Sequence, residues 1–168
     1  MKILVVSDTH GHLDLYEKLI EKIKPMDLVI HCGDIEGQEL MFENLNREIL
    51  KCNSVIVCGN NDFFSDLDRE ASLEIRGHRI LVTHGHTMYV SANTDFIKQE
   101  AYARGYDIVI YGHTHRPVLD EGSAITALNP GSLSYPRQEG RLPSYAIITF
   151  ENGQVSYAIR YIDRDFFG

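Results

Sequence analysis

The chain has 168 residues, 43% of them hydrophobic and 24% charged, with a formal net charge of −8. This is an ordinary globular composition, sufficient to bury roughly two-thirds of the unfolded surface, and residues 1–168 read as one domain. No apolar run approaches the ~20 residues that span a bilayer, no signal-peptide pattern opens the chain, and the acidic balance disfavours nucleic acid or anionic lipid as partners.

The first apolar run, Lys2 to Val6, reads as a strand and delivers Asp8-Thr9-His10. After Gly11 a helix is expected, with Tyr16, Leu19, Ile20 and Ile23 at helical spacing and Pro25 just past its end. Leu28 to His31 is a second strand, delivering Gly33-Asp34. A helical stretch from about Gln38 to Asn46 follows, with Leu40, Met41 and Leu45 as its expected apolar face. Val55 to Val57 reads as a third strand, delivering Gly59-Asn60-Asn61-Asp62. This alternation argues for a parallel, helix-covered start.

Ala71 to Arg76, a turn at Gly77-His78, and Arg79 to Thr83 read as a β-hairpin whose second arm delivers His84-Gly85-His86. Asn93 or Thr94 is the expected cap of a helix that carries Phe96, Ile97 and Ala101 and stops at Gly105. Ile108 to Tyr111 is a buried strand ended by Gly112-His113-Thr114-His115. Beyond Pro117 the chain reads as all-β: Ala124 to Leu128, Tyr145 to Phe150, an Asn152-Gly153 turn, and Val155 to Ile162. The expected architecture is α/β, with two packed sheets flanked by helices.

Five strand ends thus carry Asp8 and His10, Asp34, Asn60, His84, and His113 with His115. In open α/β sheets ligands collect beyond the carboxyl ends of strands. One histidine at a strand end is ordinarily a surface or hydrogen-bonded residue; repetition at every end is what points to metal. On an extended chain His113 and His115 would share a face. Seven donors exceed what one ion takes while keeping a reactive position open, and they suit two ions sharing a carboxylate. Mixed oxygen and imidazole ligation points to manganese, with nickel, iron or zinc as alternatives, rather than calcium. Cys32, Cys52 and Cys58 are odd in number and lack paired spacing, so we expect reduced thiols, buried at positions 32 and 58, and a cytoplasmic setting.

The motif series Asp8-x-His10, Gly33-Asp34, Gly59-Asn60-x-Asp62, His84 and Gly112-His113-x-His115 resembles, in order, that of the calcineurin-like metallophosphoesterases. The short length and Asn129-Pro130-Gly131-Ser132 resemble the compact YfcE-type phosphodiesterase branch. The resemblance implies a four-layer α-β-β-α sandwich. It also implies a first metal on Asp8, His10 and His115, a second on Asn60, His84 and His113, and Asp34 as the bridge. A metal-bridging hydroxide would then attack phosphorus in line.

One position departs from the resemblance. Many family members carry a histidine after the motif asparagine, thought to protonate the leaving oxygen or bind phosphate, although the compact branch commonly lacks it; here it is Asn61. A carboxamide donates a hydrogen bond but supplies no proton at neutral pH, so activated aryl diesters should be cleaved better than alkyl ones. His86 is the substitute acid to consider, against a role in orienting a ligand. Asp62 is expected to orient a neighbour, Asn129 to Ser132 to form a turn near the pocket, and His12, His31 and His78 to be structural. Arg137 is within reach of a substrate phosphate, although a lone arginine beside Pro136 is ordinarily a solvated loop residue. The leading expectation is therefore a phosphodiesterase acting on a small phosphodiester, with homo-oligomer formation left open. A non-catalytic scaffold like the retromer subunit of the same fold is the alternative, and a nuclease the weakest reading.

Overall fold

Along Lys2–Val6 (β1) Ile3 and Val5 face one side and Leu4 and Val6 the other, and all four are fully buried. A strand without a wet face needs cover on both sides, and the fold supplies it. The computed structural model describes residues 1–168. β1 pairs in parallel with Leu28–His31 (β2), and β2 with Asn53–Ile56 (β3). On its other edge β1 pairs antiparallel with Ser144–Glu151 (β9), which pairs with Gln154–Tyr161 (β10). The second sheet runs Glu70–Ile75 (β4), His78–Thr83 (β5), Ile108–Ile110 (β6), Thr126–Pro130 (β8), Pro117–Glu121 (β7).

Three apolar layers hold this together. Helices Asp14–Ile23 (α1) and Glu39–Leu45 (α2) cover the first sheet through Tyr16, Leu19, Ile20 and Phe42 against Leu4, Val6 and Val29. Between the sheets lie Ile3, Val5, Ile30, Ile80, Val82, Ile108, Ile110 and Ile148. Helix Asp95–Ala103 (α3) lays Ile97 and Ala101 on Leu81, Val109 and Ala127. The order is α-β-β-α, as the resemblance implied. The carboxyl ends of the parallel neighbours β1, β2 and β3, and of β5 and β6, carry the donor residues.

Several local expectations are corrected. β3 begins at Asn53, two residues early, because it is an edge strand and tolerates polar Asn53 and Ser54. The hairpin turn is Arg76-Gly77, both at positive φ, and His78 pairs with Ile75 inside the strand. β7 was not expected; a strand opening on proline fits only an edge, which is where it lies. β8 starts later than read and runs into Asn129-Pro130. In α2 the buried face is Phe42 and Leu45, while Leu40 is 68% and Met41 47% exposed. Phe42 wins because it stacks on Tyr16 at 4.5 Å. A π-helical turn, Asn46–Leu50, extends this helix. Phe96 of α3 is 39% exposed and lies outside the buried core. Cys32 is buried but Cys58 only partly, and all three cysteines are free.

His31 ends β2 in full burial. Its Nδ1 accepts the Gly33 N–H at 3.2 Å, so Nε2 carries the proton toward Thr9 Oγ1 at 3.0 Å. Burial depresses its pKa to about 4, so the folded state holds it neutral while the unfolded chain protonates it below about 6.5. Its contribution is therefore complete above pH 6.5 and is lost as pH falls toward 4, by about 3 kcal/mol. We expect His31→Gln to be less stable at pH 7, with its deficit against the parent shrinking by roughly that amount at pH 4. Denaturant unfolding of metal-free protein across pH tests this; parallel stability curves would reject it.

Candidate metal centre

The sequence reading had His113 and His115 sharing one face of an extended chain. The structure separates them. β6 ends at Ile110, and both residues take left-handed backbone, φ 67° and 56°. His113 Nδ1 comes to 2.9 Å from Asn60 Oδ1, whereas His115 Nε2 comes to 3.2 Å from His10 Nε2. Asp8, His10, Asp34 and Glu36 are also left-handed. Such conformations cost non-glycine residues on the order of 1–3 kcal/mol each and persist where surroundings impose them.

Two donor groups result. Asp8, His10, Asp34 and His115 offer ligand atoms that all lie within 4.8 Å of one another. The second group is Asn60, His84 and His113. Asp34 Oδ2 serves both, 3.8 Å from His10 Nε2 and 3.5 Å from His84 Nε2. All seven candidate ligands are thus brought together at one edge of the sandwich.

The protons around them decide what fits. His10 Nδ1 faces Glu36 Oε1 at 2.6 Å, and His115 Nδ1 donates to the Tyr135 carbonyl at 2.7 Å. In neutral rings both Nε2 atoms are then bare and face each other. His84 Nδ1 donates to the Cys32 carbonyl at 2.7 Å, which leaves its Nε2 bare, 3.0 Å from the Asn60 carbonyl oxygen. Asp8 Oδ1 is buried with no hydrogen-bond partner. Neither Asp8 nor Asp34 has a lysine or arginine partner, although both are buried. Lone pairs and unpaired buried carboxylates crowded together are unfavourable alone and suited to divalent cations. One proton on His115 answers a single contact; cations answer all of them.

Burial works to raise the Asp8 carboxyl, but His115 and His84 outweigh it and hold it below the usual range. Burial and then His84 push His113 down. Burial also opposes a proton on His115, but Asp8 and the Tyr135 carbonyl prevail and raise it.

Asn61 donates its backbone N–H to Asp34 Oδ1 at 2.8 Å and its Nδ2 to Oδ2 at 2.6 Å. Asp62 accepts from the N–H groups of Asp34, Gly59 and Glu36 at 2.7–2.8 Å, and so orients neighbours. A Cβ at Gly59 would overlap Asp34, and one at Gly112 would overlap Ser7 and Asp8. His86 is exposed, its ring 5.4 Å from His84 and 6.2 Å from His113. Because both His84 nitrogens face other groups, His86 does not orient that ring. His12 is an exposed neighbour of Tyr135, and His78 packs beside Phe150.

Sequence reasoning missed Glu36, Ser134 and Tyr135, and read Ser132 only as part of a turn near the pocket. Ser132 Oγ donates to the Asp8 carbonyl and Ser134 Oγ to that of Thr9, both at 2.8 Å. Asn129 Nδ2 donates to the Gly112 carbonyl at 2.7 Å, which ties the expected turn to the histidine loop. Only Asn129 to Ser132 carried a signal, as a turn cluster; Glu36 carried none.

Residues 1–153 match the family model for the calcineurin-like phosphoesterase superfamily domain. The chain is 32% identical over 165 residues to the probable metallophosphoesterase YsnB of Bacillus subtilis, covering 98% of this chain and 92% of that protein. It is 35% identical over 149 residues to the phosphodiesterase MJ0936 of Methanocaldococcus jannaschii (78% and 83%). Phosphodiesterase YfcE of Escherichia coli K12 is 28% identical over 172 residues (88% and 87%). Among solved structures, a predicted phosphoesterase of Streptococcus pneumoniae TIGR4 superposes with TM-score 0.74 at 27% identity (95% and 97% of each chain). Vps29 of Entamoeba histolytica, complexed with zinc, superposes with TM-score 0.74 at 20% identity (96% and 99%), a likeness of fold.

Proposed function

The chain belongs to the calcineurin-like phosphoesterase superfamily, and from that premise we propose that it is a dinuclear, divalent-metal-dependent phosphodiesterase acting on a small phosphodiester. The observation that carries this is the Asp34 carboxylate facing two donor groups, the first of which has all its ligand atoms within 4.8 Å of one another. Asp8, His10 and His115 would hold one ion, Asn60, His84 and His113 the other, and Asp34 would be shared. Bound there, manganese or a similar ion pair would acidify a water and neutralise charge on the phosphoryl oxygens.

The chain's own residues do the positioning. The Cys32 and Tyr135 carbonyls and Glu36 fix the rings of His84, His115 and His10. Asn61 fixes Asp34 and supplies no proton. His86, exposed at the rim, is the remaining side chain from which a leaving oxygen would draw one. The scaffold reading has the shared fold as its support, and the complete donor set favours hydrolysis over it. No helix is long and apolar enough to cross a membrane. The cytoplasmic setting rests on the free cysteines.

Chelator-stripped protein reloaded with manganese is expected to hydrolyse bis(p-nitrophenyl) phosphate. Absence of both diesterase and monoesterase activity after reloading rejects the reading. With no acid at position 61, Asn61→His should raise turnover of a dialkyl diester by about 10²-fold and that of the aryl diester far less. Equal changes on both substrates would reject the leaving-group argument.

A further inference from the structure

We propose that Arg116, Arg137 and Arg141 form a subsite for a second phosphate, carried on one arm of the phosphodiester. This rests on the hydrolytic reading above. The three arginines line a cleft of about 840 Å³ together with His10, His115 and Tyr135, and no carboxylate lines it. Arg116 and Arg137 also border a second cleft, about 540 Å³, that reaches His113. They therefore flank both donor groups.

An exposed arginine is ordinarily a solvated residue, and each of these is exposed. Three observations set them apart. Three of the seven other arginines hold partners through their guanidiniums: Arg104 pairs with Glu70 at 2.6 Å, Arg47 donates to Asn44 at 2.8 Å, and Arg79 to the Gly105 carbonyl at 3.0 Å. In this cleft only Arg116 Nε is engaged, by the Arg137 carbonyl at 3.3 Å, so the Arg137 and Arg141 guanidiniums keep all their donors. Three unneutralised cations also share one cleft in a chain of net charge −8. Finally, the loops are fastened to the site. The Arg137 N–H donates to the His115 carbonyl at 3.0 Å, and Arg116 directly follows His115.

The other flank has the opposite sign. There a cavity of about 810 Å³ is lined by Glu36, Glu39, Asp62 and Asp66 with Phe63 and Phe64. An anionic arm is repelled on that side and drawn to the arginines. Planar guanidinium forks match phosphate bidentately, and a terminal phosphate brings about twice the charge of a carboxylate.

The test measures binding of inorganic pyrophosphate to the metal-free protein by calorimetry, for the parent, Arg137→Ala/Arg141→Ala and Arg137→Lys/Arg141→Lys. The alanine pair should bind at least tenfold more weakly, the lysine pair should lie between, and malonate should bind the parent at least tenfold more weakly than pyrophosphate. Equal pyrophosphate affinity in the parent and the alanine pair overturns the proposal, and malonate binding as tight as pyrophosphate overturns its choice of phosphate. Neither guanidinium is bonded to the fold, and thermal unfolding checks that the variants are intact. With manganese, the alanine pair should lose at least tenfold more kcat/KM on an aryl diester with a phosphate on its second arm than on bis(p-nitrophenyl) phosphate. Equal losses overturn the subsite. A parent that cleaves neither substrate refutes the hydrolytic reading, and the calorimetry still decides the subsite.

Discussion

Asp34→Asn is expected to lower kcat/KM for an aryl phosphodiester by about 10³-fold or more, about 4 kcal/mol of transition-state stabilisation. Asp34 is the one residue whose oxygen faces both donor groups, 3.8 Å from His10 and 3.5 Å from His84. The amide removes the shared negative charge. It also places an NH₂ where Asn61 now donates, because both Asp34 oxygens accept from Asn61. One of those contacts becomes donor against donor. Elemental analysis beside the kinetics makes the test specific, since the variant should hold fewer than two ions. A variant retaining two ions and a tenth of the activity would show that Asp34 does not bridge.

The second large effect is on stability. Chelated protein should gain about 2.7 kcal/mol at a metal concentration near 100 times the dissociation constant, a rise in Tm of roughly 5–10 °C for a chain of this size. The cause is the crowding in the metal-free donor set: two buried carboxylates without lysine or arginine partners, Asp8 Oδ1 with no hydrogen bond, and imidazole nitrogens facing one another and the Asn60 carbonyl oxygen. Asp8→Ala/His115→Ala removes half the ligands of the first group and should lose at least half of the shift. Unfolding curves that superimpose with and without manganese would remove the physical basis for the centre.

The donor residues were legible because each follows a β-branched or aliphatic run that reads as a strand, and their types recur at successive strand ends. The sandwich was legible for the same reason: Lys2 to Val6 and Ile108 to Ile110 have no polar face. Where the reading slipped, one local signal was ambiguous. Leu40, Met41 and Phe42 are three apolar neighbours, and only the ring stack with Tyr16 decides which turns inward. β7 hid behind an opening proline that edge position makes harmless. Glu36 left no trace because its role depends on a backbone turn that carries its side chain back to His10. The arginine cleft was illegible for a different reason. Arg116 and Arg141 lie 25 positions apart on separate loops, and only the fold places both beside His115.

The left-handed residues at the strand ends have a consequence for how such a chain would age. Asp8, His10, Asp34, Glu36, His113 and His115 occupy backbone that glycine or asparagine adopts more readily. Their side-chain hydrogen bonds run to the loops and donors around the site, as between Asp34 and Asn61 and from His115 to the Tyr135 carbonyl, and not into the three apolar layers. A descendant that stopped handling metal would therefore drift first at these six positions, gaining thermal robustness while keeping its architecture. Their identity in any relative serves as a gauge of retained chemistry that overall similarity does not provide.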